Sequence, residues 1–130
     1  MFKFLSILIL LVTLSSCDPG FSVVLSNKSM KERNIKVITV NEQKLTYLDS
    51  ISIVDSRAQF KIPVLRNKNE RSYAFALQPG KEAILQGGIG GPDLREKVIV
   101  DGTDTILLKG DKRVHIKKHW LGTAVTIMIE

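Results

Sequence analysis

A chain of 130 residues with 44% hydrophobic side chains is long enough for one domain whose core needs neither metal nor disulfide to hold it. Its single cysteine excludes an internal disulfide framework. Nineteen basic residues against 13 acidic ones give a formal charge of +6, and they are spread along the chain, which fits a solvated surface better than a dedicated polyanion-binding block.

The first sixteen residues begin Met1-Phe2-Lys3, run apolar from Phe4 to Leu14 with only Ser6 and Thr13 interrupting, and end on Ser15-Ser16. This is the order of a secretory signal: a charged start, an apolar stretch too short to span a bilayer, and a small-residue cleavage site. The run has no polar face, which argues against a core helix. Leu14-Ser15-Ser16-Cys17 then resembles the lipobox of bacterial lipoprotein precursors, an aliphatic residue and two small ones before an invariable cysteine. The resemblance implies cleavage between Ser16 and Cys17, a diacylglyceryl thioether on the Cys17 thiol, and a freed amine that can be acylated as well. Two or three acyl chains anchor stably where one holds marginally, at about 0.8 kcal/mol per buried methylene.

The organisation that follows is a signal peptide over 1–16, a lipidated cysteine and short tether over 17–20, and a single domain over 21–130. Asp18-Pro19-Gly20 reaches only about 10 Å, so the domain is expected close against its membrane. In one well-studied group of Gram-negative bacteria an Asp directly after the lipidated cysteine retains the protein at the inner membrane, and Asp18 stands at that position. Inner or outer membrane, and a periplasmic or surface-facing domain, both stay open. With Lys3 removed the domain keeps 18 basic and 13 acidic side chains, a balance of +5 that favours an acidic protein, a glycan or a lipid head group over nucleic acid.

From Phe21 onward, short β-prone segments alternate with turn residues. Phe21 to Ser26 is a predicted strand, followed by a polar turn at Asn27-Lys28-Ser29. Asn34 to Val40 carries apolar residues on both faces and is expected inside a sheet. Over Asn41 to Ala58, Leu45, Leu48 and Ser52 stand at helical spacing while Ile51 and Ile53 alternate; we expect two short strands turning at Asp49-Ser50. Phe60, Ile62 and Val64 alternate in a segment that Pro63 marks as edge or bulged. Arg66 to Arg71 reads as a solvated loop. Tyr73, Phe75 and Leu77 form the next strand, and Pro79-Gly80 places proline and glycine for a type II turn, after which Glu82 to Gln86 is expected to return alongside as a hairpin. Lys97 to Val100, Asp101-Gly102 and Thr105 to Leu108 make the best-defined hairpin. Arg113 to Lys117, with Val114 and Ile116 inward, and Thr123 to Ile129, with Val125, Ile127 and Ile129 inward, close the series. This rhythm predicts an all-β, antiparallel two-sheet sandwich of about seven to nine strands. It resembles the small immunoglobulin-like β-sandwich lipoproteins of Gram-negative bacteria in strand rhythm, but Trp120 has no cysteine pair around it.

Three groups of residues are candidate sites. Gln86 to Asp93 contains Gly87, Gly88, Gly90 and Gly91, yet a dinucleotide fingerprint needs a third glycine where Asp93 stands, and a phosphate loop needs a Gly-Lys-Ser or Gly-Lys-Thr that is absent. A bulged or flexible connection, crossing between sheets, is the expected role, and it is the first place to look for a binding loop. Lys109, Lys112, Arg113, Lys117, Lys118 and Trp120 form a basic stretch with an aromatic, for which a solvated face and a tryptophan covering the end of the core is the expectation. His115 and His119 would share a face on a helix, but on a strand they stand about 13 Å apart with lysines between, so no metal site is expected.

Catalysis has little support. Glu70, Glu82, Glu96, Asp93, Asp101, Asp104 and Asp111 fall mostly in turns, and no nucleophile, base and orienter stand in a recognisable pattern. The expectation is a non-enzymatic accessory, binding or structural module without a cofactor, held at the cell envelope by its lipid. The alternative is a protective protein, an inhibitor of a lytic enzyme or an immunity lipoprotein; a basic lytic target would call for an acidic surface, which +5 does not provide.

Overall fold

Alternation in steps of two decides which side of each strand is buried, and it does so most clearly where β-branched residues dominate. The computed structural model describes residues 19–130. The signal segment, the lipobox and Cys17 lie outside the described residues. Eleven strands and one short helix follow in order: β1 (Gly20–Asn27), β2 (Arg33–Ile38), α1 (Glu42–Tyr47), β3 (Ser50–Asp55), β4 (Ala58–Pro63), β5 (Leu65–Asn67), β6 (Ser72–Leu77), β7 (Glu82–Ile89), β8 (Lys97–Val100), β9 (Asp104–Leu107), β10 (Val114–His119) and β11 (Gly122–Ile129).

They form two sheets, one of six strands in the order β10-β11-β1-β7-β3-β4 and one of five in the order β5-β6-β2-β8-β9. The fold is thus an all-β two-sheet sandwich. All pairings are antiparallel except one: β1 and β11 run parallel, from Gly20 opposite Gly122 to Asn27 opposite Ile129. Between the sheets, Val23, Leu25, Val125 and Ile127 from one side meet Ile35, Val37, Tyr73, Leu77, Val98 and Ile106 from the other, all fully buried. Each such side chain contributes about 1.5–3 kcal/mol relative to exposure.

At the end of the sandwich where β1 finishes, Asn27 ties the sheets together. Its amide donates to the Leu77 carbonyl at 2.9 Å and to the Lys31 carbonyl at 3.0 Å, and its Oδ1 accepts from the Ser29 backbone. The expected polar turn therefore begins on a buried residue whose hydrogen bonds are all inside the protein.

Several expectations are corrected. Residues 42–47 are helical, not strand: the Asn41 side chain caps the first turn by accepting from the Lys44 amide, and Leu45 is buried. Six residues are too few to show a helical repeat against the alternation that follows. Arg66 and Asn67 belong to β5 rather than to a loop, paired with Tyr73 and Ser72. Glu82 to Gln86 does not return beside β6. The Pro79-Gly80 turn, with Gly80 at φ 75° and the Lys81 amide bonded to the Gln78 carbonyl, instead carries the chain from the five-stranded sheet to the six-stranded one. Type II geometry splays the segments it joins, which suits a crossing better than a hairpin. Ile116 is exposed, because β10 is an edge strand reaching beyond the core.

Other expectations stand. β2 lies inside its sheet between β6 and β8, β4 with Pro63 is an edge, and Asp101 and Gly102 both take positive φ in the β8–β9 turn.

Candidate functional site

The glycine-bearing segment does cross between sheets. β7 includes Gly87 and Gly88, its pairing with β1 shifts register between Val23 and Val24, and Gly90 and Gly91 lead over to β8 in the other sheet. Gly88 and Gly90 have φ of 146° and 105°, which excludes most other residues. The loop is clasped at its base. The Gln86 amide donates to the Asp93 carbonyl at 2.9 Å, and the Asp93 amide donates back to Gln86 Oε1 at 2.8 Å. Asp93 also takes a bond from the Arg95 guanidinium, which holds its carboxyl below the usual range.

Beside this loop is a cleft of about 370 Å³ lined by Phe21, Lys44, Gln86, Gly87, Gly91 and Glu96, among others. Glu96 forms its floor and is only 2% exposed. Glu96 Oε1 accepts from Lys44 Nζ at 3.0 Å and from Thr39 Oγ1 at 3.1 Å, while Lys44 Nζ also donates to the Leu85 carbonyl at 2.7 Å. Lys44 Nζ stands 5.3 Å from the centre of the Tyr73 ring. Burial, and after it the Glu96 charge, push the Tyr73 hydroxyl far above its ordinary range, so it is a neutral phenol. Glu96 Oε2 and the Tyr73 hydroxyl are buried without a hydrogen-bond partner. The cleft is thus lined by the paired, opposite charges of Lys44 and Glu96, with the unpartnered Glu96 Oε2 buried beneath it. Such a lining can hydrogen-bond a small polar molecule.

The predicted basic stretch is divided by the full length of β10, about 20 Å. Lys112 and Arg113 stand where β10 begins, with His115, on a groove of about 380 Å³ that Arg33 and Asp101 also line. Arg113 is not a free cation. It is bonded to Asp104 at 2.6 Å and Asp111 at 2.9 Å, which raises its own pKa and lowers that of Asp111. Lys109, exposed, lies in the β9–β10 connection. Lys117 and Lys118 are exposed near the other end of β10. His115 and His119 are both exposed on this strand, and among the described residues no group of three or more His, Cys, Asp or Glu side chains could hold a metal ion.

Trp120 does not cover the core. With Leu121 it forms the two-residue turn between β10 and β11, where His119 pairs with Gly122, and it is 89% exposed. A turn that short has no sheet neighbour to shelter it. The same turn touches the start of β1: the Gly20 amide donates to the Leu121 carbonyl at 3.2 Å.

The sequence reading missed Lys44, Thr39, Tyr73 and Glu96 as a group. Glu96, between Arg95 and Lys97, groups by sequence with the acidic residues expected in turns. No helix among the described residues is long and apolar enough to cross a membrane. No protein-family model matches the chain, and comparison with curated proteins returns no match.

Proposed function

We propose that this protein is a lipid-anchored β-sandwich of the bacterial cell envelope, a non-enzymatic binding or structural module that works beside its membrane. The observation that carries the reading is the spacing between Cys17 and the fold. Leu14-Ser15-Ser16-Cys17 follows a short apolar run, and β1, an interior strand of the six-stranded sheet, begins at Gly20. Only Asp18 and Pro19 separate the lipidated residue from a strand locked between two neighbours. The tether is therefore one residue shorter than the sequence implies, and the domain has little freedom to leave the bilayer.

Growth with labelled palmitate, followed by membrane fractionation of wild type and Cys17→Ala, tests the anchor. The variant is expected to lose the label and move to the aqueous fraction with its β-sheet circular dichroism unchanged. A Cys17→Ala protein that stays with the membrane overturns the reading.

A further inference from the structure

The end of the six-stranded sheet at which β1 begins gathers three large apolar side chains in water. Gly20 pairs with Ile89 of β7 on one side and with Gly122 of β11 on the other. Gly90 donates to the Pro19 carbonyl at 3.0 Å, and Gly20 donates to the Leu121 carbonyl. Ile89, Trp120 and Leu121 are 75%, 89% and 60% exposed. They thus flank the exit of the tether within the width of three neighbouring strands.

We infer that Ile89, Trp120 and Leu121, with Lys117 and Lys118 behind them, form a surface that enters the membrane interface next to the Cys17 anchor. The inference rests on the lipid-anchor reading above and adds an orientation to it. Three residue steps from Cys17 to Gly20 reach at most about 11 Å, so a lipid in the bilayer at Cys17 holds this end of the sheet at the head groups. Tryptophan beside an aliphatic residue is the composition that favours the boundary between acyl chains and head groups. The charge is matching: residues 117–122 contain two lysines, one histidine and no acidic residue, which suits an anionic surface. The opposite end of the sandwich, where Arg33 meets Asp101 and Arg113 meets Asp104, is closed by ion pairs, and Met30 in the β1–β2 connection is its one strongly exposed apolar side chain among the described residues.

Trp120 is the one tryptophan of the chain, so its fluorescence reports this turn alone. The lipidated full-length product is reconstituted into phosphatidylcholine vesicles with and without phosphatidylglycerol. On vesicles, Trp120 emission is expected to shift to the blue, to be quenched by lipids brominated near the head group, and to lose several-fold of its quenching by aqueous acrylamide, most strongly with phosphatidylglycerol present. Cys17→Ala in buffer supplies the hydrated reference, and Leu121→Asp on vesicles is expected to return Trp120 to that reference without releasing the protein. A vesicle-bound protein whose Trp120 is as open to acrylamide as the reference overturns the orientation and leaves the anchor intact. Shielding from acrylamide without quenching by brominated lipid, dependent on protein density, would assign the surface to a second copy and overturn it too. A wild-type chain that stays in the aqueous phase as Cys17→Ala does overturns the anchor and the inference together.

Discussion

Lys44 and Glu96, 52 residues apart in sequence, meet at 3.0 Å beneath the glycine loop and fasten the only described helix to the segment entering β8. Glu96 is nearly inaccessible, and the polar partners of its Oε1 are this lysine and Thr39. Removing the lysine leaves a buried carboxylate with half of its support. Lys44→Met should therefore cost about 3–5 kcal/mol, whereas Lys44→Met with Glu96→Leu should recover most of that loss. Urea unfolding of the two variants measures the difference.

The Asp111–Arg113 pair sets an acid limit. The Arg113 side chain, through its hydrogen bond first of all, holds the Asp111 carboxyl below its ordinary value of 3.8. Because the folded pKa is the lower one, the pair's contribution is fully present above the unfolded value and fades as pH falls through the folded value. Unfolding midpoints measured from neutral pH down to about pH 2 should fall more steeply for wild type than for Asp111→Asn below about pH 4. Parallel curves would show that the pair contributes nothing.

The glycine loop owes its shape to one side chain. Gln86 makes both bonds of the clasp to Asp93, so Gln86→Ala should cost about 1 kcal/mol globally and a larger local opening. Hydrogen exchange should rise at Gly87 to Gly91 while β1 and β11 keep their protection. Unchanged exchange would mean that glycine geometry alone fixes the loop.

How far the sequence speaks for the structure depends on what each element needs from a distance. Tyr73, Phe75 and Leu77, or Val125, Ile127 and Ile129, declare their strand and their buried side through alternation alone. The helix at 42–47 is less than two turns long, and its defining contact, Asn41 to the Lys44 amide, is one hydrogen bond. Which sheet a strand joins is less legible still: Pro79-Gly80 declares a turn, and only the splay of type II geometry hints that the chain crosses over instead of turning back. Of the candidate site, the glycines were visible as composition, while the Lys44–Glu96 pair needed the fold to bring it together. Trp120 and Leu121 did leave a signal, since two large apolar residues at a turn break the polar habit of such positions.

Gly122 decides whether the end of the six-stranded sheet where β1 begins can form. It lies at φ 151°, and a Cβ there would overlap the Gly20 backbone carbonyl across the parallel pair. Neither the backbone angle nor the space admits a side chain, and the obstructing atom is main chain that cannot swing aside. Gly122→Ala should destabilise by about 1–3 kcal/mol and separate the first residues of β1 from β11 while Val23 to Asn27 keep their partners. The Trp120-Leu121 turn would then no longer be fixed to the start of β1, and if the chain is anchored at Cys17 as proposed, not to the strand next to the anchor. Thermal unfolding checks the first part, and exchange of the Gly20 amide, bonded to the Leu121 carbonyl, checks the second. A Gly122→Ala protein with wild-type stability and a protected Gly20 amide would show that β1 shifts to make room, and that the two glycines are not what holds this end together.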